Sequence, residues 1–148
     1  MDFPSRMPEP VELLPIMEEA VGARVLETHL SRDMMMVLED EKVVREVQPN
    51  LDLVAKIPNC VNLILTAKGE NVDFVSRYFT PGISIPEDPV TGSAHCTLAP
   101  YWAKALGKTS LDARQLSRRG GRLRCKVEGE RVKLYGRAQM YLSGTLHL

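Results

Sequence analysis

Aromatic residues are scarce in this chain: one Trp, four Tyr and three Phe among 148 residues. A surface that reads RNA stacks bases on aromatic faces, and no such interleaved motif is present. Net charge is missing as well, because 19 Lys+Arg offset 19 Asp+Glu for a formal charge of +0. Bulk electrostatics therefore points to no polyanionic partner. Cysteine is limited to Cys60, Cys96 and Cys125, with no C-x-x-C spacing. That odd count speaks against a disulfide framework and fits reduced thiols in a cytoplasmic protein. A metal centre would have to be assembled from distant segments with only His29, His95 and His147 as imidazoles, so none is expected. There is no apolar run long enough to cross a membrane, and "MDFPSRMPEP" has neither the apolar core nor the cleavage pattern of a secretory signal. A nucleotide-binding glycine motif, a low-complexity tract and a short repeat are absent too, and no cofactor is expected.

What is present suits one ordinary domain. The chain is 44% hydrophobic and 26% charged, and a domain of this length removes about 70% of its extended-chain surface on folding. Residues 1–10, with three prolines, read as an extended connection, since each X-Pro step disfavours the helical region. "VELLPIMEEAVG" predicts a helix ending near Gly22, with Pro15 either tolerated early or marking the first turn. Val25–Leu30 alternates as a strand, and Met34–Leu38 with Lys42–Val47 is expected to form a β-hairpin across the acidic turn Glu39–Glu41. The methionines Met34, Met35 and Met36 fit core filling. "NLDLVAKIP" predicts a short helix capped by Asn50. Two strands follow, joined at Lys68–Asn71, the second covered on both faces because neither of them is wholly polar. A last antiparallel pair places Leu123, Cys125 and Val127 on one face, turns at Glu128–Glu130 and resumes with Val132 and Leu134. Gly136 then marks a bend or close approach before Ala138, Met140 and Leu142.

The chemistry concentrates in "EDPVTGSAHCTLAPYWAKALGK", Glu87–Lys108. Its apolar positions cover more than one stripe, which predicts a helix surrounded by protein near 93–106, stopped by Gly107 and bent at Pro100, where a backbone donor is lost. At its start Thr91 or Ser93 can cap, Gly92 permits close backbone approach, and Asp88 precedes the free N–H groups. Two readings stay open here: a loop that caps itself, or a site for a carboxylate or phosphate. His95 suits proton transfer or hydrogen bonding, and Cys96 would need exposure and a low pKa to act as a nucleophile.

The stretch "DFVSRYFTPGISIPEDPVTGSAHCTLAPYWAKALGK", followed by "ARQLSRRGGRL" and "GERVKLYGRAQMYLSG", resembles the C-terminal part of the phenazine-biosynthesis-like, PhzF-type isomerases of the diaminopimelate-epimerase-like superfamily. "DFPS" at Asp2–Ser5 and "SRDMMMVL" at Ser31–Leu38 extend the likeness over nearly the whole chain. The resemblance implies an α+β fold: one lobe over 1–148, with a strongly curved, mostly antiparallel sheet around a central helix. It implies Asp88 and His95 as catalytic residues and Thr91, Gly92, Ser93 and Tyr101 as substrate-binding residues. The reaction it implies is a cofactor-independent proton shift or epimerisation of a small carboxylated metabolite. A complete family member supplies a catalytic glutamate from a first lobe, for which no segment here is equivalent. The chain is accordingly expected to be weak or inactive alone, and to pair with a first lobe or form a homodimer. The alternative is a non-catalytic protein-interaction domain. Arg114, Arg118, Arg119, Arg122, Arg124 and Lys126 read as a solvated strand face plus a turn, and no nucleic-acid partner is expected.

Overall fold

The methionine run divides its side chains between two cores. In the computed structural model, which describes residues 1–145 and so leaves His147 outside the described residues, Met34, Met36 and Leu38 join one apolar cluster while Met35 and Val37 join the other. This is what a strand buried on both faces requires, because successive side chains point to opposite sides.

Nine strands and four helices are described: β1 (Asp2–Pro4), β2 (Glu9–Pro10), α1 (Pro15–Val21), β3 (Val25–Leu30), β4 (Met34–Leu38), α2 (Glu41–Glu46), α3 (Leu51–Val54), β5 (Leu63–Lys68), β6 (Phe74–Phe79), α4 (Gly92–Leu106), β7 (Ser110–Gln115), β8 (Gly121–Glu128) and β9 (Arg131–Tyr135). They form an α+β structure with one sheet in the order β1-β9-β8-β7-β6-β5-β4-β3-β2. Only the pairs β4–β5 and β6–β7 are parallel. Each is joined by a helical crossover, through α2 and α3 in the first case and α4 in the second.

The sheet begins and ends with strands that are neighbours in sequence. Eight inter-strand steps laid flat would span about 38 Å, yet Pro4 and Glu9 are five residue steps apart and that chain reaches at most about 18 Å. The sheet must therefore curl, while its edges β1 and β2 pair only with β9 and β3 and leave it unclosed. Residues 1–10 are thus more than an extended connection: they form both edge strands and the strap between them.

α4 lies against the inner face. Its Ala94, Leu98, Ala99 and Trp102 pack with Ile64, Phe74, Leu111, Cys125, Val132 and Leu134. Trp102 stacks on Phe74 with ring centroids 5.9 Å apart, and its indole N–H donates to the buried Thr66 hydroxyl at 3.0 Å. Pro100 has no N–H to give to the carbonyl one turn earlier, that of Cys96. The strap supplies the donor instead, through the Arg6 N–H at 2.9 Å. The opposite face of the sheet is covered by α1, α2 and α3 through Met17, Ala20, Val44 and Val54.

Two expectations need correction, and one strand lies outside them. Lys42–Val47 is not a strand: the Asp40 side chain accepts from the Val43 N–H at 2.7 Å and starts α2, and Glu41 pairs with Arg45 one turn on. A cap and an i,i+4 pair outweigh the strand preference of three valines. Ser110–Gln115 is a strand, with Leu111, Ala113 and Gln115 inward. No apolar face resumes after Gly136, where Met140 and Leu142 are exposed and nothing approaches the glycine. The three cysteines are buried and unpaired, and burial holds the thiols of Cys60 and Cys125 up at about 12.

Candidate functional site

The loop before α4 is held from two sides, and that clamping presents Asp88. β6 ends at Phe79, which bridges to Glu87, and the Asp88 N–H donates to the Tyr78 carbonyl at 3.0 Å. Glu87 and Asp88 therefore leave the strand on opposite faces. Glu87 meets the buried Arg77 in a two-point ion pair at 2.7 and 3.1 Å. The remaining terminal nitrogen of Arg77 reaches the carbonyls of Val44, Arg45 and Val47 at the end of α2, the last at 2.6 Å.

On the inner side, Gln115 fixes the turn. Its carbonyl accepts from the Thr91 N–H at 2.8 Å, and its amide donates to the Asp88 carbonyl at 2.7 Å and to the Thr91 hydroxyl at 3.1 Å. Ser117 adds a bond to the Pro89 carbonyl at 2.6 Å. Gly121 lies so close to Val90 that a Cβ there would come within 2.4 Å of its methyl. The tract "ARQLSRRGG" is thus the cradle of the turn, a role not readable from its composition.

Thr91 occupies the N-cap position of α4 but makes no side-chain cap bond. Its hydroxyl donates to an Asp88 carboxylate oxygen at 2.6 Å instead. Neither Asp88 nor Ser93 caps the helix either, and the first-turn N–H groups of Gly92, Ser93 and Ala94 find no acceptor in another segment among the described residues. The loop does not cap itself. Gly92 has ordinary helical space around it, since an added Cβ would meet only Leu134 at 3.9 Å; neither strain nor internal packing demands glycine there.

Tyr78 and Asp33, absent from the sequence-based set, belong to the same end of the sheet. Burial and the neighbouring carboxylates of Asp33 and Asp88 push the Tyr78 phenol well above its ordinary pKa, so it stays a protonated donor. Asp33 is itself buried and accepts from the Asn62 amide at 2.8 Å.

The structure brings Asp88, Thr91, Gly92 and Ser93 together and separates Tyr101 from them. Tyr101 lies nine residues further along α4, about 13 Å by helical rise, and donates to Glu27 at 2.9 Å. Glu27 also meets the His29 ring at 2.8 Å, and the bond to His29 is the main reason its carboxyl titrates below the usual range. His95 starts from the same turn as Thr91 but is fully buried, with Nδ1 2.8 Å from the Thr91 carbonyl.

Burial lowers the His95 pKa from the reference 6.5, outweighing the opposite effect of the Thr91 bond. The unfolded chain then takes up a proton before the folded one as pH falls, so stability present above pH 6.5 is lost on acidification. We expect the melting temperature to fall as the pH drops below 6.5, and to fall less in His95→Gln. Parallel pH profiles for the two proteins would refute this assignment.

Two concavities bear on α4 and its entrance. The larger, about 680 Å³, lies at the far end of α4 between Pro4, Met7, Lys104 and Glu130. A smaller one of about 390 Å³ adjoins the Asp88 loop, lined by Glu87, Pro89, Ser117, Arg118 and Arg119. Chemistry rather than size places the candidate site beside the second.

The chain is similar to known proteins in both sequence and fold. The family model described as phenazine biosynthesis-like protein matches residues 12–144. An uncharacterized isomerase of Pseudomonas aeruginosa is 47% identical over the whole chain, which covers 57% of that relative. A phenazine biosynthesis PhzF-family protein of Enterococcus faecalis superposes with a TM-score of 0.87 at 44% identity, over 96% of this chain and 57% of that one. A putative PhzC/PhzF protein of Clostridium difficile gives 0.89 at 41% identity, over 100% of this chain and 57% of that one. The chain thus spans a little over half the length of these relatives.

Proposed function

The chain belongs to the phenazine biosynthesis-like family, and from that membership we propose that it acts as the C-terminal lobe of a two-lobed isomerase of the diaminopimelate-epimerase-like kind. Its substrate is a small carboxylated metabolite, on which the reaction is a proton shift or epimerisation. The observation that carries this reading is the start of α4, where N–H groups without a side-chain cap stand next to the Asp88 carboxylate.

A helix N-terminus favours negative charge, and its free amides can hold a substrate carboxylate and stabilise enolate charge as a C–H proton leaves. Gly92 leaves the approach open, and Ser93 adds a hydroxyl. Asp88, fixed by Thr91, Gln115 and the strand behind it, positions the substrate or carries a proton. His95, enclosed in the core, supports the turn through Thr91 and does not meet the substrate. The opposing acid or base comes from a first lobe, since one lobe offers a single face of the cleft.

Val61, Ile83 and Ile85 are exposed at the end of the sheet that carries the turn, an apolar surface suited to cover by that first lobe or by a second copy. The isolated chain is accordingly a concentration-dependent dimer of the cytoplasm with weak or no turnover. Proton–deuterium exchange into small carboxylates tests the proposal, comparing the chain alone with the chain joined to the first lobe of a full-length relative. Exchange is expected only in the joined protein. Efficient exchange by the isolated chain as a monomer in sedimentation would overturn the need for a second lobe.

A further inference from the structure

Four arginines gather at the β7–β8 hairpin without ion-pair partners. Arg114 and Arg122 are directly opposed across the two strands, and both are exposed. Like charges in that register repel. Arg118 and Arg119 stand at the tip, and none of the four forms an ion pair among the described residues, although Arg124 on the same hairpin pairs with Asp112. In a chain with balanced charge this is a local excess of positive charge.

The tip is also rigidly framed. Ser117 accepts from the Gly120 N–H at 3.0 Å while donating to Pro89, and Gly120 holds φ 70°, a conformation that favours glycine. Arg118 and Arg119 form one wall of the 390 Å³ concavity, and Glu87 and Pro89 the other. The one carboxylate in that lining, Glu87, is already held by both nitrogens of the Arg77 fork. It does not compete for the tip arginines.

We propose that this concavity is an oxyanion-binding pocket, taking a phosphate or carboxylate group between the Arg118–Arg119 tip and the outer wall of the Asp88 loop. Guanidinium forks match such groups in two-point contacts. The proposal goes beyond the isomerase reading, because Glu87 leaves its bridge to Phe79 on the face opposite Asp88. A compact anion suits the pocket better than a nucleic acid, since no aromatic residue stands at the hairpin tip.

The test is an NMR titration of the chain with inorganic phosphate and, separately, citrate, at constant ionic strength. Saturable shifts are expected at Gly120, Gly121 and the Arg118 and Arg119 side chains. The dissociation constant should weaken at least about tenfold in Arg118→Gln/Arg119→Gln, two exposed changes that leave the melting temperature in place. Phosphate as the tighter probe would indicate a phosphate ester, citrate a polycarboxylate. In Gly92→Val the isotherms read at Gly120, Gly121 and the two arginine side chains should match those of the parent chain. An unchanged isotherm in the double variant overturns the proposal, as does preferential binding of a duplex oligonucleotide. Loss of binding in Gly92→Val alone overturns it too, but places the anion at α4 and so supports the isomerase reading.

Discussion

Replacing Arg77 with leucine is expected to lower the unfolding free energy by about 3–5 kcal/mol, the range for removing one partner of a buried ion pair. The side chain of Arg77 is 7% exposed and that of Glu87 21%, so some water reaches the carboxylate and the lower part of the range applies. At about 2–4 °C per kcal/mol for a chain of this size, the melting temperature should drop by roughly 10 °C. The loss has two sources: Glu87 is left charged without its partner, and carbonyls at the end of α2 lose their donor. The double variant Arg77→Leu/Glu87→Gln removes the first and keeps the second, and should recover part of the loss. Chemical denaturation of the three proteins measures this, and a single-variant loss below about 1 kcal/mol, typical of exposed pairs, would show that the cluster does not secure the loop.

The largest functional effect is expected at Asp88. Asparagine keeps the shape and can still accept from the Thr91 hydroxyl, while the Gln115 bond to the residue's backbone carbonyl is untouched. The fold should therefore survive with its melting temperature nearly unchanged. Proton exchange by the chain joined to a first lobe should fall by about 10²–10⁴-fold, the usual contribution of a positioned acid or base. A smaller fall with weaker substrate binding would leave Asp88 a positioning role only. Equal turnover and equal affinity would remove it from the mechanism.

The sequence carried the local parts of this structure and missed the distant ones. The Asn50 cap, the covered strand Phe74–Phe79 and the helix Gly92–Leu106 with its stop at Gly107 follow from short-range pattern. Lys42–Val47 reads as a strand because of its adjacent valines, while the Asp40 cap that makes it helical is one side-chain bond. β7 is hard to read from the sequence because an inward position belongs to a polar residue, Gln115, whose partners at Asp88 and Thr91 are far away in sequence. The site divides the same way. Asp88, Thr91, Gly92 and Ser93 are neighbours in one turn and were legible together; Arg77, Gln115, Tyr78 and Asp33 reach it through sheet pairing. Tyr101, grouped with the turn by resemblance, sits in its own cluster with Glu27 and His29 because a helix carries it away.

The strap that gives an N–H to the Cys96 carbonyl also sets a timetable. Asp2 pairs with Lys133, so the first strand waits for about 130 further residues before its partner exists, roughly 7–26 s at ribosomal rates. The contacts of this segment at α4 and β9 can form only in the order of synthesis, the helix first and the last strand afterwards. A nascent chain stalled between the two would display β8 as an open edge, an invitation to pair with another chain. β1 is thus a latch closed long after it is made, and the folded yield should depend on how fast the hairpin of β8 and β9 is delivered to it.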